Sequence, residues 1–455
     1  MHKKNIYRKR VKKLNTTKKV AFLTLGCKTN QYETNGMMQK FIEAGYEICN
    51  LEENPDIYVV NTCTVTNIAD RKSRQSLRRV KENNNTIVVA VGCYAQVAKE
   101  QLEQMPEIDI VLGNKEKKDI VKYVEEFLQK RTDLGKKEPT PIVPIVDVAD
   151  ISKQKEFDEY GCVTYTEKSR TEIKIQDGCN NFCTYCLIPY ARGRIRSRKK
   201  ENVLKEAQKI ANEGIKEIVL TGIHIASYGK DFEEEYKLID LIEDLNKIEG
   251  IERIRLGSLE PTIVTEEFTK RLSKLEKVCN HFHLSLQSGC DETLKRMNRK
   301  YSTKEFKKVV EILRKYFKDV NLTTDVIVGF PGETNEEFDI TYKFLKEIAF
   351  YKMHVFKYSK RDGTLASKMQ NQIDGNIAEE RSKKLIELSE KNMIEYNNKY
   401  IGKELEVLFE EKQGEFWTGH TKNYMVVKMK SENDLENKLL KVKINSVNNE
   451  ALIAK

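Results

Sequence analysis

Three cysteines in one short segment carry the strongest chemical signal in this chain. Cys179, Cys183 and Cys186 stand in DGCNNFCTYCLIPYARG (177–193) with the spacing C-x3-C-x2-C. Asp, Gly and Asn flank them without a regular apolar period, which argues against a role as small core residues. Zinc usually takes a fourth protein ligand, and no His lies within 35 residues on either side. Three thiolates suit a [4Fe–4S] cube with three irons held and one left open to a further ligand.

Three other cysteines form a second set. Cys27, Cys63 and Cys93 lie in LGCKTN, NTCTVT and VGCYAQ, and each follows a β-rich run: Val20–Leu25, Ile57–Val60 and Ile87–Val91. Amphipathic stretches such as Glu33–Ala44 and Asp70–Lys81 separate the runs. Such alternation predicts a parallel sheet covered by helices. Sites in open α/β sheets form at the carboxyl ends of strands, so these three cysteines are expected to converge on one sheet edge. Cys49, Cys162, Cys279 and Cys290 complete the ten and are expected to be structural. The basic N-terminus has no apolar segment behind it, so no secretory signal is expected and the thiols are read as reduced.

The elements that position these residues divide the chain. At about 100–200 residues per domain, 455 residues suggest two to four domains. The expected division is a basic arm (1–18), an α/β domain (19–130), a linker (131–164) marked by Pro139, Pro141 and Pro144, a core (165–395) and a small C-terminal barrel (396–455). The core repeats the βα pattern six times, with candidate strands at Glu172–Ile175, Glu217–Leu220, Arg253–Leu256, His283–Leu286, Asp325–Val328 and His354–Phe356. That count predicts a partial (β/α)6 barrel. The last segment reads as four short runs, Leu405–Phe409, Tyr424–Met429, Leu439–Ile444 and Ala451–Ile453, joined by polar turns: a small antiparallel β-barrel. The fold class is thus multidomain α/β with a terminal β-barrel. No run of 18 apolar residues is present, so a transmembrane helix is not expected.

Charge points to a polyanion. There are 80 Lys and Arg against 70 Asp and Glu, and nine of the basic residues fall in residues 1–20. Two further basic runs follow the cysteine loops: Arg71, Lys72, Arg74, Arg78, Arg79 and Lys81, then Arg192, Arg194, Arg196, Arg198, Lys199 and Lys200. A solvated helix face is the ordinary reading of such a run. Beside cysteine loops, and without interleaved acids, they are expected to hold phosphates, which positions RNA without reading its sequence. Residues 401–455 hold nine Lys and nine acidic residues. There Trp417, with Phe416, His420 and Tyr424, is a candidate base-stacking residue or a core filler.

The C-x3-C-x2-C loop resembles the radical S-adenosylmethionine (SAM) enzymes. Together with the second cysteine set and the terminal barrel, the chain resembles the methylthiotransferases over about residues 19–455. TLGCKTNQYET, NTCTVTNIADRKSR and VFKYSKRDGTLA look like the bacterial branch that acts on N6-threonylcarbamoyladenosine in tRNA. The isopentenyladenosine branch typically has FGCQMN at the first cysteine, and the ribosomal-protein branch has GCPKN. The resemblance implies a TRAM module at the C-terminus and two [4Fe–4S] clusters, one on Cys179, Cys183 and Cys186 and an auxiliary one on Cys27, Cys63 and Cys93. It implies SAM as methyl donor and radical source, with Tyr185, Gly222, Ser258, Glu260, Gln287, Arg299 and Gly329 around it. It implies a cytoplasmic enzyme, without a membrane, that takes tRNA, a one-electron donor such as flavodoxin or ferredoxin, and a sulfur source. Arg71, Arg74, Arg78, Arg194, Arg196, Arg198 and Trp417 are the expected RNA contacts.

The expected activity is methylthiolation at C2 of threonylcarbamoyladenosine at position 37 of tRNA, beside the anticodon. The alternative within the family is isopentenyladenosine as substrate. Outside it stand an iron–sulfur electron carrier, which would need fully ligated clusters, and a non-catalytic RNA-binding protein with structural metal. Formation of 5′-deoxyadenosine separates the enzyme from both.

Overall fold

The computed structural model describes residues 18–79, 86–134, 143–165, 169–448 and 450–455. The basic arm up to Thr17, the last basic residue of the first run, Lys81, and the linker residues Pro139 and Pro141 lie outside the described residues. Backbone contacts divide the chain into two compact units. The first comprises residues 1–154, 158–165 and 190–193, and the second 155–157, 166–189 and 194–455.

The first unit is built on a parallel sheet. Its strands are β1 (Lys19–Thr24), β2 (Glu47–Ile48), β3 (Ile57–Thr62), β4 (Ile87–Gly92), β5 (Ile110–Leu112) and β6 (Ile145–Asp147), in the order β2-β1-β3-β4-β5-β6. Every residue of β3 and β4 is buried, as helices on both faces of a parallel sheet require. One face packs on Tyr32, Phe41, Ile120 and Phe127, the other on Leu77, Tyr94 and Leu102. The expected linker is in part structural: the helix Ile120–Leu134 runs past 130, β6 pairs with β5, and Tyr160 and Val163 join the core. Proline excludes interior ladder positions, yet a three-residue edge strand follows Pro144 without conflict.

In the second unit, β7 (Arg170–Asp177), β9 (Glu217–Gly222) and β10 (Arg253–Leu256) run parallel, and the two-residue β8 (Arg196–Ser197) lies antiparallel on β7. β11 (His281–Gln287), β12 (Asn321–Val328) and β13 (Lys352–Lys357) form a second parallel sheet. Parallel bridges Ile254↔Val278 and Leu259↔Leu284 join the two. The six βα strands thus curve into a partial barrel around an Ile, Val, Leu and Phe core.

The C-terminal strands β14 (Glu404–Gln413), β15 (Phe416–Thr421), β16 (Val426–Lys430), β17 (Leu439–Asn448) and β18 (Ala451–Ala454) close into a barrel in the order β14-β15-β16-β18-β17. Two features differ from expectation. β15 is an additional strand, and β16 pairs with β18 in parallel, so the barrel is not wholly antiparallel. This barrel meets the starts of the core strands, the ends remote from the cysteine loop. Arg253 Nη1 donates to the carbonyl of His420 (2.8 Å) and Asn321 Nδ2 to that of Asn423 (2.8 Å).

Candidate functional site

In the first unit, β1, β3 and β4 are adjacent and parallel, so their carboxyl ends share one edge. Cys27, Cys63 and Cys93 follow those ends. Cys27 is the N-cap of the helix Lys28–Glu43, whose first backbone N–H groups have no partner within the helix. Gly26 between strand and cap has φ +102°, and a Cβ there would lie 2.8 Å from the Cys63 Sγ. Only glycine lets the two loops approach this closely. Burial pushes the Cys63 thiol up to about 12, and the neighbouring Cys93 and Cys27 push it in the same direction. Asn30 Nδ2 donates to the carbonyls of Leu25 (2.7 Å) and Thr62 (3.0 Å) and pins the loops.

A buried polar network borders Cys93. Arg192 is 0% exposed; its Nε donates to the Cys93 Sγ (3.1 Å), its Nη1 pairs with Glu33 Oε1 (2.5 Å) and its Nη2 donates to Asn30 Oδ1 (2.6 Å). Lys117, equally buried, pairs with Glu33 and donates to Asn114 Oδ1 (2.7 Å). Sequence reasoning counted Arg192 in a surface tract and missed Glu33, Asn114 and Lys117. No local pattern marks them, because the network joins positions far apart in the chain.

In the second unit the Asp177-Gly178 turn ends β7, with Asp177 Oδ1 accepting from the Gly178 N–H (2.8 Å). The loop beyond holds Cys179, Cys183 and Cys186. Backbone N–H groups of Asn181 and Ile188 reach the Cys179 and Cys186 sulfurs (3.4 Å each), and Arg299 Nη1 reaches the Cys183 Sγ (3.3 Å). Burial drives the Cys179 thiol to about 11 and the Cys186 thiol to about 12; Cys183 adds to both shifts. A thiol held this way keeps its proton near neutral pH until a metal that binds the sulfur displaces it, as iron does. Among the described residues no three Cys, His, Asp or Glu side chains form a site for a single metal ion. Cubic clusters place each thiolate on a different iron and need no such convergence, so both three-cysteine sets fit that donor chemistry.

The rim of the partial barrel surrounds this loop. Glu260, after β10, accepts from Arg299 Nη2 (2.9 Å) and stands 3.5 Å from His224 Nε2. Burial raises the Glu260 carboxyl, but His224 and Arg299 outweigh it and hold it below its usual range. Tyr185 packs edge-on to Phe330, with ring centres 6.3 Å apart. Gln287 ends β11 in the left-handed region at φ 72°. Gly222 ends β9, and Ser258 is exposed beyond β10. Gly329 has φ +70°, and its N–H donates to the buried Glu333 carboxylate (2.6 Å), which Arg381 also holds (2.7 Å). Glu333 in GFPGE therefore fixes the loop. His224, Asn181 and Asn298 also line this region and were not foreseen: Asn298 Nδ2 donates to the carbonyl of Phe182 (3.0 Å), and Asn181 meets His224 (3.3 Å).

The expected RNA contacts divide sharply. Arg71 and Arg78 are exposed on the helix Asn67–Arg78, and Arg74 is half-buried, donating to Tyr94 Oη (2.6 Å). Arg194 is exposed and covers the Phe182 ring at 4.5 Å. Arg196 and Arg198, each 1% exposed, are internal. Arg196 pairs with Asp177 (3.5 Å) and Arg198 with Glu206 (3.0 Å). They are therefore not phosphate contacts; β8 turns them inward to carboxylates. Trp417 is also no stacking platform: it fills the barrel core beside Val407, Val427 and Leu452. His420 and Tyr424 stack on each other with centres 4.8 Å apart, and the Glu410 carboxylate accepts from the His420 ring Nδ1–H at 2.6 Å. Among the described residues no helix is long and apolar enough to cross a membrane.

Residues 173–345 match the radical SAM superfamily, and residues 19–113 match the uncharacterized protein family UPF0004. The chain is 43% identical over 432 residues to the threonylcarbamoyladenosine tRNA methylthiotransferase MtaB of Bacillus subtilis (strain 168), covering 93% of each chain. It is 34% identical to the tRNA-2-methylthio-N(6)-dimethylallyladenosine synthase of Clostridium novyi (strain NT), covering 99% of this chain and 97% of that one. Among solved structures, the radical S-adenosylmethionine methyltransferase TsrM of Kitasatospora setae has a similar fold. Its TM-score is 0.54 at 15% identity, over 75% of this chain and 73% of that one.

Proposed function

The chain belongs to the tRNA methylthiotransferase family, and from that premise we propose that it adds a methylthio group to C2 of N6-threonylcarbamoyladenosine at position 37 of tRNA. The observation that carries this reading is the pair of three-cysteine sets, one beyond the carboxyl ends of three parallel strands and one in a single loop beyond β7, each with an arginine N–H on one sulfur. Cys179, Cys183 and Cys186 hold one [4Fe–4S] cluster, and Cys27, Cys63 and Cys93 the auxiliary one. With SAM bound, these groups supply one-electron radical chemistry, sulfur and a methyl group.

The chain's own residues orient and shield. Arg299 ties Cys183 to Glu260 and to the carbonyl of Ser285 (3.1 Å), so the cysteine loop and the barrel rim keep one geometry. Tyr185, Gly222, Ser258, Glu260, Gln287 and Gly329 line the rim where SAM binds. The exposed Arg71, Arg78 and Arg194, and the half-buried Arg74, hold tRNA phosphates. The enzyme draws electrons from a small donor protein and sulfur from a separate source, and it works in the cytoplasm.

Nucleoside mass spectrometry of tRNA from a strain lacking the gene tests the reading. The methylthio form of threonylcarbamoyladenosine should vanish and return on complementation. Loss of the methylthio form of isopentenyladenosine instead would move the enzyme to the branch of its 34%-identical relative.

A further inference from the structure

We infer that Arg192 is a positioning residue for the auxiliary cluster: its guanidinium fixes the Cys93 thiolate and raises the reduction potential of the cluster that Cys93 holds. The inference rests on the reading that Cys93 is a cluster ligand.

Arg192 is among the largest fully buried side chains of the described residues, and the geometry explains the burial. One edge of its planar fork meets sulfur, with Nε 3.1 Å from the Cys93 Sγ. The other meets Glu33, through Nη1 to Oε1 (2.5 Å) and Nη2 to Oε2 (3.0 Å). Asn30 Oδ1 accepts from the same Nη2 (2.6 Å). Glu33 is itself held by Lys117. Asn114, which accepts from Lys117, turns its own Nδ2 to the carbonyl of Ala191 (2.7 Å) and lies 3.8 Å from the Cys93 Sγ. The guanidinium therefore cannot swing away from the sulfur without breaking bonds to a buried carboxylate. That anchoring is costly in a dry interior, where charges need partners and good geometry.

Hydrogen bonds to cluster sulfurs and nearby positive charge stabilise the reduced, more negative state, and they are among the factors that set cluster potentials. An arginine whose fork spans sulfur and carboxylate serves this purpose better than lysine, whose ammonium is a compact point charge without that planar geometry. Position 192 lies only six residues beyond Cys186 in the chain, so the sequence that ends the radical-SAM cysteine loop also supplies a donor to the other cysteine set.

The test is an EPR-monitored redox titration of the full-length holoenzyme, reconstituted with iron and sulfide. A background with Cys179, Cys183 and Cys186 replaced by Ala isolates the auxiliary signal. Arg192→Gln should keep about four irons in that background and move the midpoint to a more negative potential. Arg192→Lys, which keeps the positive charge and an ion pair to Glu33, should fold as wild type and show a smaller shift in the same direction. In the background with Cys27, Cys63 and Cys93 replaced, the radical-cluster midpoint should not respond to either substitution. A wild-type auxiliary midpoint in Arg192→Lys, or equal shifts of both clusters, would overturn the inference. The premise is checked separately. Cys93→Ala in the otherwise native chain should lose the auxiliary signal; a chain that keeps both clusters would refute the ligand assignment itself.

Discussion

Arg299 donates one N–H to the Cys183 sulfur at 3.3 Å and another to the Glu260 carboxylate at 2.9 Å. A residue beyond the fourth core strand thereby locks a cysteine loop beyond the first to a carboxylate beyond the third. The lock needs both charges. Glu260 stays ionised although it is buried, because His224 and Arg299 face it.

Breaking this lock should damage cofactor cleavage more than cluster retention. Arg299→Gln removes charge-assisted hydrogen bonds worth roughly 1.5–3 kcal/mol each, so 5′-deoxyadenosine formation should fall by about 10- to 100-fold. Cys183→Ala should abolish it. Anaerobic assays with dithionite and SAM measure both, with iron content determined in parallel. Wild-type activity in Cys183→Ala would refute the assignment of the radical cluster.

Replacing Cys27, Cys63 and Cys93 together by Ala should lower iron from about eight to about four per chain, as two cubic clusters require. Cleavage of SAM should persist while methylthiolated tRNA disappears. Iron analysis and nucleoside mass spectrometry decide the matter. A triple variant that still carries two clusters would show that these cysteines are structural.

The arginines of the two basic tracts should separate into two behaviours. Neutralising the exposed Arg71 and Arg78 should weaken tRNA binding and flatten its salt dependence, by about 0.7–0.9 of logarithmic slope per lost phosphate contact. Arg198→Gln should instead remove the buried Arg198–Glu206 ion pair and lower stability by about 3–5 kcal/mol. Binding titrations at several salt concentrations and urea midpoints distinguish the two effects.

Acid should attack the seam between the partial barrel and the C-terminal barrel. Burial raises the Glu217 carboxyl, but the guanidinium groups of Arg255, Arg170 and Arg253 outweigh it and bring it down to about 2. A carboxylate whose folded-state value is depressed contributes its full stability above the unfolded value, here near 4.5, and loses it as pH falls towards 2. The urea midpoint should therefore drop across that window. Glu217→Gln should lower it at neutral pH, since Arg255 loses its 2.6 Å partner, and should flatten the dependence between pH 4.5 and 2. An unchanged slope would place the acid sensitivity elsewhere.

The two cysteine sets and the elements that carry them are legible in the order of residues alone. Cys179, Cys183 and Cys186 share one loop, so covalent spacing alone keeps them together. Cys27, Cys63 and Cys93 each follow a β-rich run, and parallel strands necessarily end on one edge. The periodicity that announced those strands is a local property, and it survived folding. What a charged side chain faces is not local. The tract from Arg192 to Arg198 reads as a phosphate comb, yet three of its four arginines are buried. Their partners come from tertiary structure: Glu33, 159 residues from Arg192, is brought to it only when the first unit folds. Trp417 was equally undecidable, because an aromatic in an isolated strand fits a core or a stacking surface until barrel closure assigns its face. Desolvation made the choice in each case: a guanidinium can leave water only where carboxylates already wait for it.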